Sequence, residues 1–246
     1  MKKYLKNGMK KIYNGSRTMD ISLYYEEKGE GFPLVLLHGN GEDHTYFENQ
    51  LEFFSKSRRV IAVDTRGHGK SPRGGGEFSI RRFADDLRAF FLEHGIERAD
   101  ILGFSDGGNI ALLFALKNPK MVRKLILNGA NLFPKGVKKT VQLPIELGYR
   151  LAKPFTHLSE KAKKNAEMLS LMVNDPYIEP NELQYICAPT LVIAGTHDMI
   201  KESHTRLIAE KIPGAKLKLI EGDHFIANKN PDEFNKAAAA FLNGHI

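Results

Sequence analysis

The sequence is poor in cysteine and tryptophan and has no long apolar run. Its 246 residues include one Cys and no Trp, which excludes a disulfide framework. The longest apolar runs, such as Ile110–Leu116, fall far short of the roughly 18 residues that a membrane-spanning helix needs. The basic N-terminus, Met1–Gly8, lacks the apolar stretch of a signal peptide. We therefore expect a soluble protein of the reducing cytoplasm.

Positive charge is in excess and unevenly distributed. The chain has 36 Lys and Arg against 29 Asp and Glu, a net charge of +7. Residues 1–17 hold six basic and no acidic residues, and residues 132–165 hold eight basic and two acidic ones. Neither segment interleaves its cations with aromatics or matches a known nucleic-acid-binding module. We expect solvated basic faces and no nucleic-acid partner.

Short apolar runs alternate with segments of helical spacing from residue 34 onward. The runs are Pro33–Leu37, Arg59–Val63, Asp100–Phe104, Leu125–Leu127, Thr190–Ala194 and Lys216–Ile220. They are continuous rather than alternating, which is typical of strands covered on both faces. Helical spacing marks residues 80–91 behind a Ser79 cap, 109–117 and 232–242. The pattern predicts an α/β fold with a mostly parallel sheet flanked by helices, and a hairpin of Lys11–Asn14 and Ile21–Glu26 at its edge.

The alternation stops between Leu132 and Ile186, where five prolines lie among helical patterns. We interpret residues 132–186 as a helical lid inserted after the sixth strand, between core segments 1–131 and 187–246. This segment has no evident apolar amphipathic face with aromatics. A lipase-like role at lipid surfaces is therefore not favoured.

The strongest chemical signal is Gly103–Gly108, which follows an apolar strand and precedes a helix. In such a turn the central residue, Ser105, is held in a strained conformation at the top of the sheet. Small flanking residues are needed because the strand and the helix pass close together. The pattern indicates a serine nucleophile.

A serine nucleophile needs a base and an acid from elsewhere in the chain. His224 follows the last predicted strand, and Asp198 follows the strand before it. Asp223 is the alternative acid, but a chain neighbour of His224 would rarely reach the far side of the ring. We predict the triad Ser105, Asp198 and His224, in the order that this architecture uses.

Taken together, these motifs resemble the α/β-hydrolase fold superfamily. His38–Gly41 resembles the family's oxyanion loop, and Asp64–Ser71 resembles its structural turn after the next strand. The resemblance covers about residues 20–243 apart from the lid. It implies a serine hydrolase in which the backbone N–H groups of Asn40 and Asp106 form the oxyanion hole.

The sequence does not match the residue spacing of common cofactor-binding and metal-binding motifs. Gly69–Ser71 ends like a phosphate-binding loop, but that motif requires a glycine where Asp64 stands. A dinucleotide fingerprint starting at Gly39 would need a glycine in place of His44. No clustered Cys and His spacing is present. We expect no cofactor and no metal.

The residue after the serine is unusual because Asp106 is charged. The run Ser105–Gly108 resembles that of the biphenyl-hydrolase-like and valacyclovirase branch, which prefers esters of α-amino acids. Asp106 could therefore pair with a substrate amine. Alternatively, its carboxylate could turn away and bond locally.

We predict hydrolysis of a small carboxylic ester, amino-acid esters among the candidates, through an acyl-enzyme. The alternatives are hydrolysis of an amide, thioester or C–C bond, or a binding protein that retains the triad. The candidate pocket residues, which core packing could equally explain, are Phe104, Tyr46, Leu132, Phe133 and Phe225.

Overall fold

The computed structural model describes residues 20–244, which form a seven-stranded sheet with helices on both faces. The strands are β1 (Tyr25–Lys28), β2 (Pro33–Leu37), β3 (Arg59–Val63), β4 (Ala99–Phe104), β5 (Val122–Asn128), β6 (Thr190–Gly195) and β7 (Lys216–Ile220). Their order across the sheet is β1-β3-β2-β4-β5-β6-β7. Only β1 is antiparallel to its neighbour. The predicted parallel α/β sheet is confirmed.

The predicted edge hairpin is described only in part. Its first strand, Lys11–Asn14, lies outside the described residues, and its second strand begins at Tyr25 rather than at Ile21.

Eight α-helices lie within the described residues. They are α1 (Glu48–Phe54), α2 (Ile80–Glu93), α3 (Asp106–Lys117), α4 (Lys139–Ala152), α5 (Glu160–Asn174), α6 (Glu202–Lys211), α7 (Ile226–Lys229) and α8 (Pro231–Asn243). The predicted cap of α2 is present, since the Ser79 hydroxyl accepts a hydrogen bond from the Arg82 N–H at 3.3 Å. The capping bond satisfies one of the free N–H groups at the helix start.

The sheet divides the apolar core into two clusters. Successive strand residues point to opposite faces, so Val35 and Leu37 pack in one cluster and Leu34 and Leu36 in the other. All four side chains are 0–1% exposed. Burial on both faces explains why the strands read as continuous apolar runs.

Helices α4 and α5 lie between β5 and β6 and pack against each other. The Asn40 side-chain amide donates to the Met168 carbonyl of α5 at 2.8 Å, and Arg73 pairs with Glu167 of α5 at 2.6 Å. The sequence predicts six strands before these helices, and one of them, Lys11–Asn14, lies outside the described residues. The helices therefore follow β5, the fifth strand that the structure describes. The division into a core and a lid at residues 132–186 stays a prediction.

The outer face of α4 corrects one expectation. Leu143, Leu147 and Leu151 are 59%, 58% and 62% exposed, whereas Val141 and Ile145 are half-buried. Phe155, which is 54% exposed, continues this row of leucines, so the expectation that the segment lacks an apolar amphipathic face with aromatics is wrong. Leucines at four-residue steps look the same in sequence whether they face the core or the solvent. None of the helices within residues 20–244 is long and apolar enough to cross a membrane.

Replacing Gly107 by alanine is expected to lower the free energy of unfolding by at least about 3 kcal/mol or to prevent folding. A Cβ at Gly107 would lie 2.0 Å from the Leu37 carbonyl oxygen, which belongs to the backbone and cannot move aside easily. Urea unfolding followed by circular dichroism measures the change.

The matched control is Gly148→Ala in α4, where the new Cβ would meet only Leu169 Cδ1, at 3.9 Å. That change should leave the stability equal or raise it by up to about 1 kcal/mol, because alanine favours a helix interior. Equal effects of the two substitutions would contradict the close approach at Gly107.

Candidate active site

Ser105 lies between the end of β4 and the start of α3 in a strained backbone conformation. Its φ is 52° and its ψ is −119°, and no other non-glycine residue in the described chain has a positive φ. A Cβ at Gly103 would lie 2.3 Å from the Gly107 carbonyl oxygen. The tight turn thus depends on glycine on both sides of Ser105. It directs the serine side chain away from the strand and toward the carboxyl edge of the sheet.

His224 and Asp198 reach Ser105 from the loops after β7 and β6. His224 Nε2 is 3.0 Å from Ser105 Oγ, and His224 Nδ1 is 2.7 Å from Asp198 Oδ1. The His224 and Asp198 residues are each 3% exposed. A neutral imidazole that donates from Nδ1 to the carboxylate leaves Nε2 free to accept the serine proton. The arrangement can therefore deprotonate Ser105.

Asp223, the alternative acid, is engaged elsewhere. Its Oδ1 accepts a hydrogen bond from the Phe225 N–H at 2.9 Å, and its Oδ2 pairs with Lys229. The hydrogen bond from Lys229 holds the pKa of Asp223 below its ordinary value. The carboxylate in contact with His224 is that of Asp198.

The two predicted oxyanion donors lie in the loop after β2 and at the start of α3. The backbone N–H groups of Asn40 and Asp106 have no hydrogen-bond acceptor among residues 20–244. The Asp106 N–H also belongs to the first turn of α3, where the helix dipole favours negative charge. Both groups are thus free of protein acceptors within this part of the chain, and their role as an oxyanion hole stays a prediction.

Three of the predicted pocket residues form an aromatic group around His224. The ring centroids of Phe104 and His224 are 4.8 Å apart, Tyr46 stacks on Phe104 at 4.4 Å, and Phe225 lies 5.7 Å from Phe104. Phe225 is 39% exposed. These rings form an apolar wall on one side of the imidazole.

Leu132 and Phe133 lie on the other face of the sheet. Leu132 is 0% exposed within the core, and its N–H donates to His204 Nε2 at 2.9 Å. The Phe133 ring packs edge-on against His204 at 4.6 Å. Core packing accounts for both residues, and a role in a pocket stays a prediction for them.

The Asp106 side chain is buried and only half satisfied. Its Oδ1 accepts a hydrogen bond from the Asn109 amide at 3.1 Å, whereas its Oδ2 has no partner among the described residues. Burial, with a contribution from Asp175, raises the pKa of Asp106 to about 7. The local hydrogen bond of Oδ1 matches one of the two alternatives, in which the carboxylate bonds locally. Oδ2 has no donor in this part of the chain.

Two further carboxyl groups interact electrostatically with the site and were not identified from the sequence. Glu42 accepts a hydrogen bond from the Gly39 N–H at 3.0 Å, and burial raises its pKa to about 7. Burial also raises the pKa of Asp175, after α5, to about 6. The position of Glu42 next to the oxyanion loop is a usable sequence signal, but nothing in the sequence links Asp175 to the elbow.

One group of residues in the described chain could offer ligands to a metal. The donor atoms of Asp43, His44 and Asp64 lie within 4.8 Å of one another. Both Asp64 oxygens already accept protein hydrogen bonds, Oδ1 from His44 Nδ1 at 2.8 Å and Oδ2 from the Lys70 N–H at 2.8 Å. These bonds explain the burial of Asp64 without an ion.

Comparison with known proteins identifies the family. The sequence profile of the alpha/beta hydrolase fold matches residues 33–158, about half of the chain. The chain belongs to the alpha/beta hydrolase fold family. This membership agrees with the sheet order and with the turn at Ser105.

Relatives of this alpha/beta hydrolase are named as hydrolases. The mouse serine hydrolase BPHL is 28% identical, over 90% of this chain and 83% of that protein. A 2-hydroxymuconate semialdehyde hydrolase of Pseudomonas putida is 32% identical, over 88% of this chain and 89% of that protein. The enol-lactonase of Burkholderia xenovorans LB400 superposes with a TM-score of 0.77 at 24% identity, over 91% of this chain and 97% of that one, which supports the fold alone. The chain is a hydrolase.

The stability of the protein should depend on pH through Asp106. Its pKa is raised from 3.8 to about 7 on folding, so between these values the folded state retains a proton that the unfolded state has lost. The free energy of unfolding relative to that of Asp106→Asn should therefore fall as pH rises from about 4 to about 7, by roughly 2 to 4 kcal/mol.

Urea unfolding of the wild type and Asp106→Asn at several pH values measures this difference. Asp232→Asn, at an exposed carboxyl of α8, is the matched control. A stability difference between the wild type and Asp106→Asn that stays constant from pH 4 to pH 7 would show that the Asp106 carboxyl is not held protonated by the fold.

Proposed function

We propose that this hydrolase cleaves a small carboxylic ester through an acyl-enzyme on Ser105. The observation that supports this proposal best is the pair of contacts that joins three residues. His224 lies 3.0 Å from Ser105 Oγ and 2.7 Å from Asp198 Oδ1. A hydroxyl, a base and a buried acid in line are the parts that acyl transfer to serine requires.

In the first half of the reaction Ser105 Oγ attacks the ester carbonyl carbon while His224 Nε2 takes the hydroxyl proton. Asp198 stabilises the imidazolium that forms. The carbonyl oxygen becomes an oxyanion and accepts hydrogen bonds from the N–H groups of Asn40 and Asp106. Collapse of this intermediate breaks the C–O bond, and His224 returns the proton to the departing alcohol.

In the second half water replaces the alcohol. His224 Nε2 removes a proton from the water, which attacks the acyl carbon, and the same oxyanion donors hold the second intermediate. The proton then passes to Ser105 Oγ as the carboxylic acid leaves. Amide, thioester and C–C substrates could use the same groups. The relatives named as hydrolases argue against a binding protein that merely retains the triad.

We propose, from the surroundings of Asp106, that esters of α-amino acids are among the substrates. The Asp106 Oδ2 is buried without a donor among residues 20–244. The negative charge of a second carboxyl, that of Asp175, contributes to the raised pKa of Asp106. An ammonium group would supply the missing donors and favour the ionised carboxylate. The Ser-Asp-Gly-Gly run at Ser105–Gly108 agrees with this choice, because its resemblance to the biphenyl-hydrolase-like and valacyclovirase branch implies amino-acid esters.

Replacement of Ser105 by alanine should lower kcat/KM for a water-soluble ester by about 10⁴-fold or more, because the nucleophile is removed. Incubation with a fluorophosphonate should add one adduct mass to the wild type and none to Ser105→Ala. Ester turnover by the variant at the wild-type rate would exclude Ser105 as the nucleophile.

The two acids near His224 provide a matched pair of control variants. Asp198→Asn should lower kcat by about 10³- to 10⁴-fold, because the imidazole loses its orienting carboxylate. Asp223→Asn removes a carboxylate from the same loop as His224 and should change kcat by less than about tenfold. The reverse order would assign the acid role to Asp223.

Asp106→Asn should selectively weaken turnover of amino-acid esters. We expect kcat/KM for an α-amino ester to fall by about tenfold to a hundredfold relative to its desamino analogue, because the ammonium loses a charged partner. Comparing the two esters in each variant cancels any effect on the oxyanion hole. An unchanged ratio of the two would rule out recognition by Asp106.

A further inference from the structure

The outer surface of α4 and the turn after it carry an apolar stripe. It consists of Leu143, Leu147, Leu151, Phe155 and Leu158, which are 59%, 58%, 62%, 54% and 65% exposed. The first four recur at four-residue steps along the helix and its continuation. Isolated exposed leucines are ordinary, but five large exposed apolar side chains within sixteen residues, four of them at four-residue steps, mark an interaction surface.

Basic residues are close to the stripe along the chain, and we call them its basic border. Residues 132–165 contain eight Lys and Arg, all exposed, among them Lys139, Arg150, Lys153, Lys161, Lys163 and Lys164. None of the eight forms a salt bridge within residues 20–244. Their charge is therefore available to a partner.

A groove adjoins the first leucine of the stripe. Its volume is about 350 Å³, and Leu143 forms part of its wall. The charged side chains that line it are those of Lys135, Lys139, Lys201 and Glu146. Three cations against one carboxylate give the groove a positive lining, which suits a phosphate group.

We propose that the apolar stripe and its basic border bind the surface of an anionic phospholipid bilayer. The occupant must offer an apolar interior bounded by negative charge, and a bilayer with acidic headgroups has both. A second copy of this chain would place the same positive charge against the first, so like charges oppose pairing of two stripes. This inference does not depend on the proposed ester hydrolysis.

Flotation with phospholipid vesicles tests the proposal on the full chain. We expect the wild type to float with vesicles of phosphatidylcholine and phosphatidylglycerol in equal parts, and not with vesicles of phosphatidylcholine alone. Leu143→Ser, Leu147→Ser and Leu151→Ser combined should reduce the partition coefficient by about tenfold or more, because the apolar contact is lost. Added salt should weaken wild-type binding.

Two variants with the same net charge distinguish the effect of the basic border from the effect of the total charge of the protein. Lys153→Gln, Lys161→Gln and Lys163→Gln combined should lower the partition coefficient about tenfold or more. Lys56→Gln, Lys120→Gln and Lys216→Gln combined remove the same charge from exposed sites on other elements and should lower it by less than about threefold. Equal losses in the two variants would overturn the proposal.

Three other results would also overturn it. One is absence of wild-type flotation with the anionic vesicles. Another is undiminished flotation of the leucine and lysine variants, which would assign binding to residues outside the stripe and its border, such as the basic segment 1–17. The third is a wild type that does not float with vesicles but forms a dimer in sedimentation velocity, if the triple leucine substitution abolishes that dimer. Unchanged thermal unfolding of each variant establishes that its fold is intact.

Discussion

The close approach of Gly107 to the backbone at the end of β2 is the constraint on which the candidate site depends. Because a Cβ there would lie 2.0 Å from the Leu37 carbonyl oxygen, α3 can begin directly against the sheet. The chain can then turn from β4 into α3 within one residue, at the cost of a positive φ at Ser105. The same turn leaves the Asp106 N–H, at the start of a helix, without an acceptor among the residues that the structure describes. Backbone packing, rather than a side-chain contact, thus sets the position of the serine.

The site combines hydrogen-bond donors that favour a negative charge with carboxyl groups that disfavour it. The proposed oxyanion donors, the N–H groups of Asn40 and Asp106, would favour negative charge beside Ser105, yet the carboxyls of Glu42 and Asp106 are close by. Burial raises the pKa of each to about 7. A protonated carboxyl, or a carboxylate paired with a cation, does not oppose an oxyanion as a free carboxylate would. The proposed amine on the substrate would provide that pairing at Asp106.

Helices α4 and α5 present two different surfaces. Toward the core, the Met168 carbonyl of α5 accepts a hydrogen bond from the Asn40 side chain, and Glu167 pairs with Arg73. Toward the solvent, α4 displays the apolar stripe, and the basic residues close to it along the chain are exposed. The inner surface therefore contacts the oxyanion loop, while the outer surface has the composition of an interfacial helix. The same short segment touches the site and carries the proposed lipid contact.

The sequence alone was sufficient for the parallel sheet, since doubly buried strands leave unbroken apolar runs such as Pro33–Leu37. It was also sufficient to select Ser105, His224 and Asp198 as candidates, because motif and chain order restrict the choice. Tertiary structure decided that Asp198 and not Asp223 contacts His224, that Leu132 is core, and that the α4 leucines face outward. Periodicity defines the faces of a helix but not the neighbours of each face. Those neighbours, like the burial that raises the pKa of Asp106, come from segments distant in the chain.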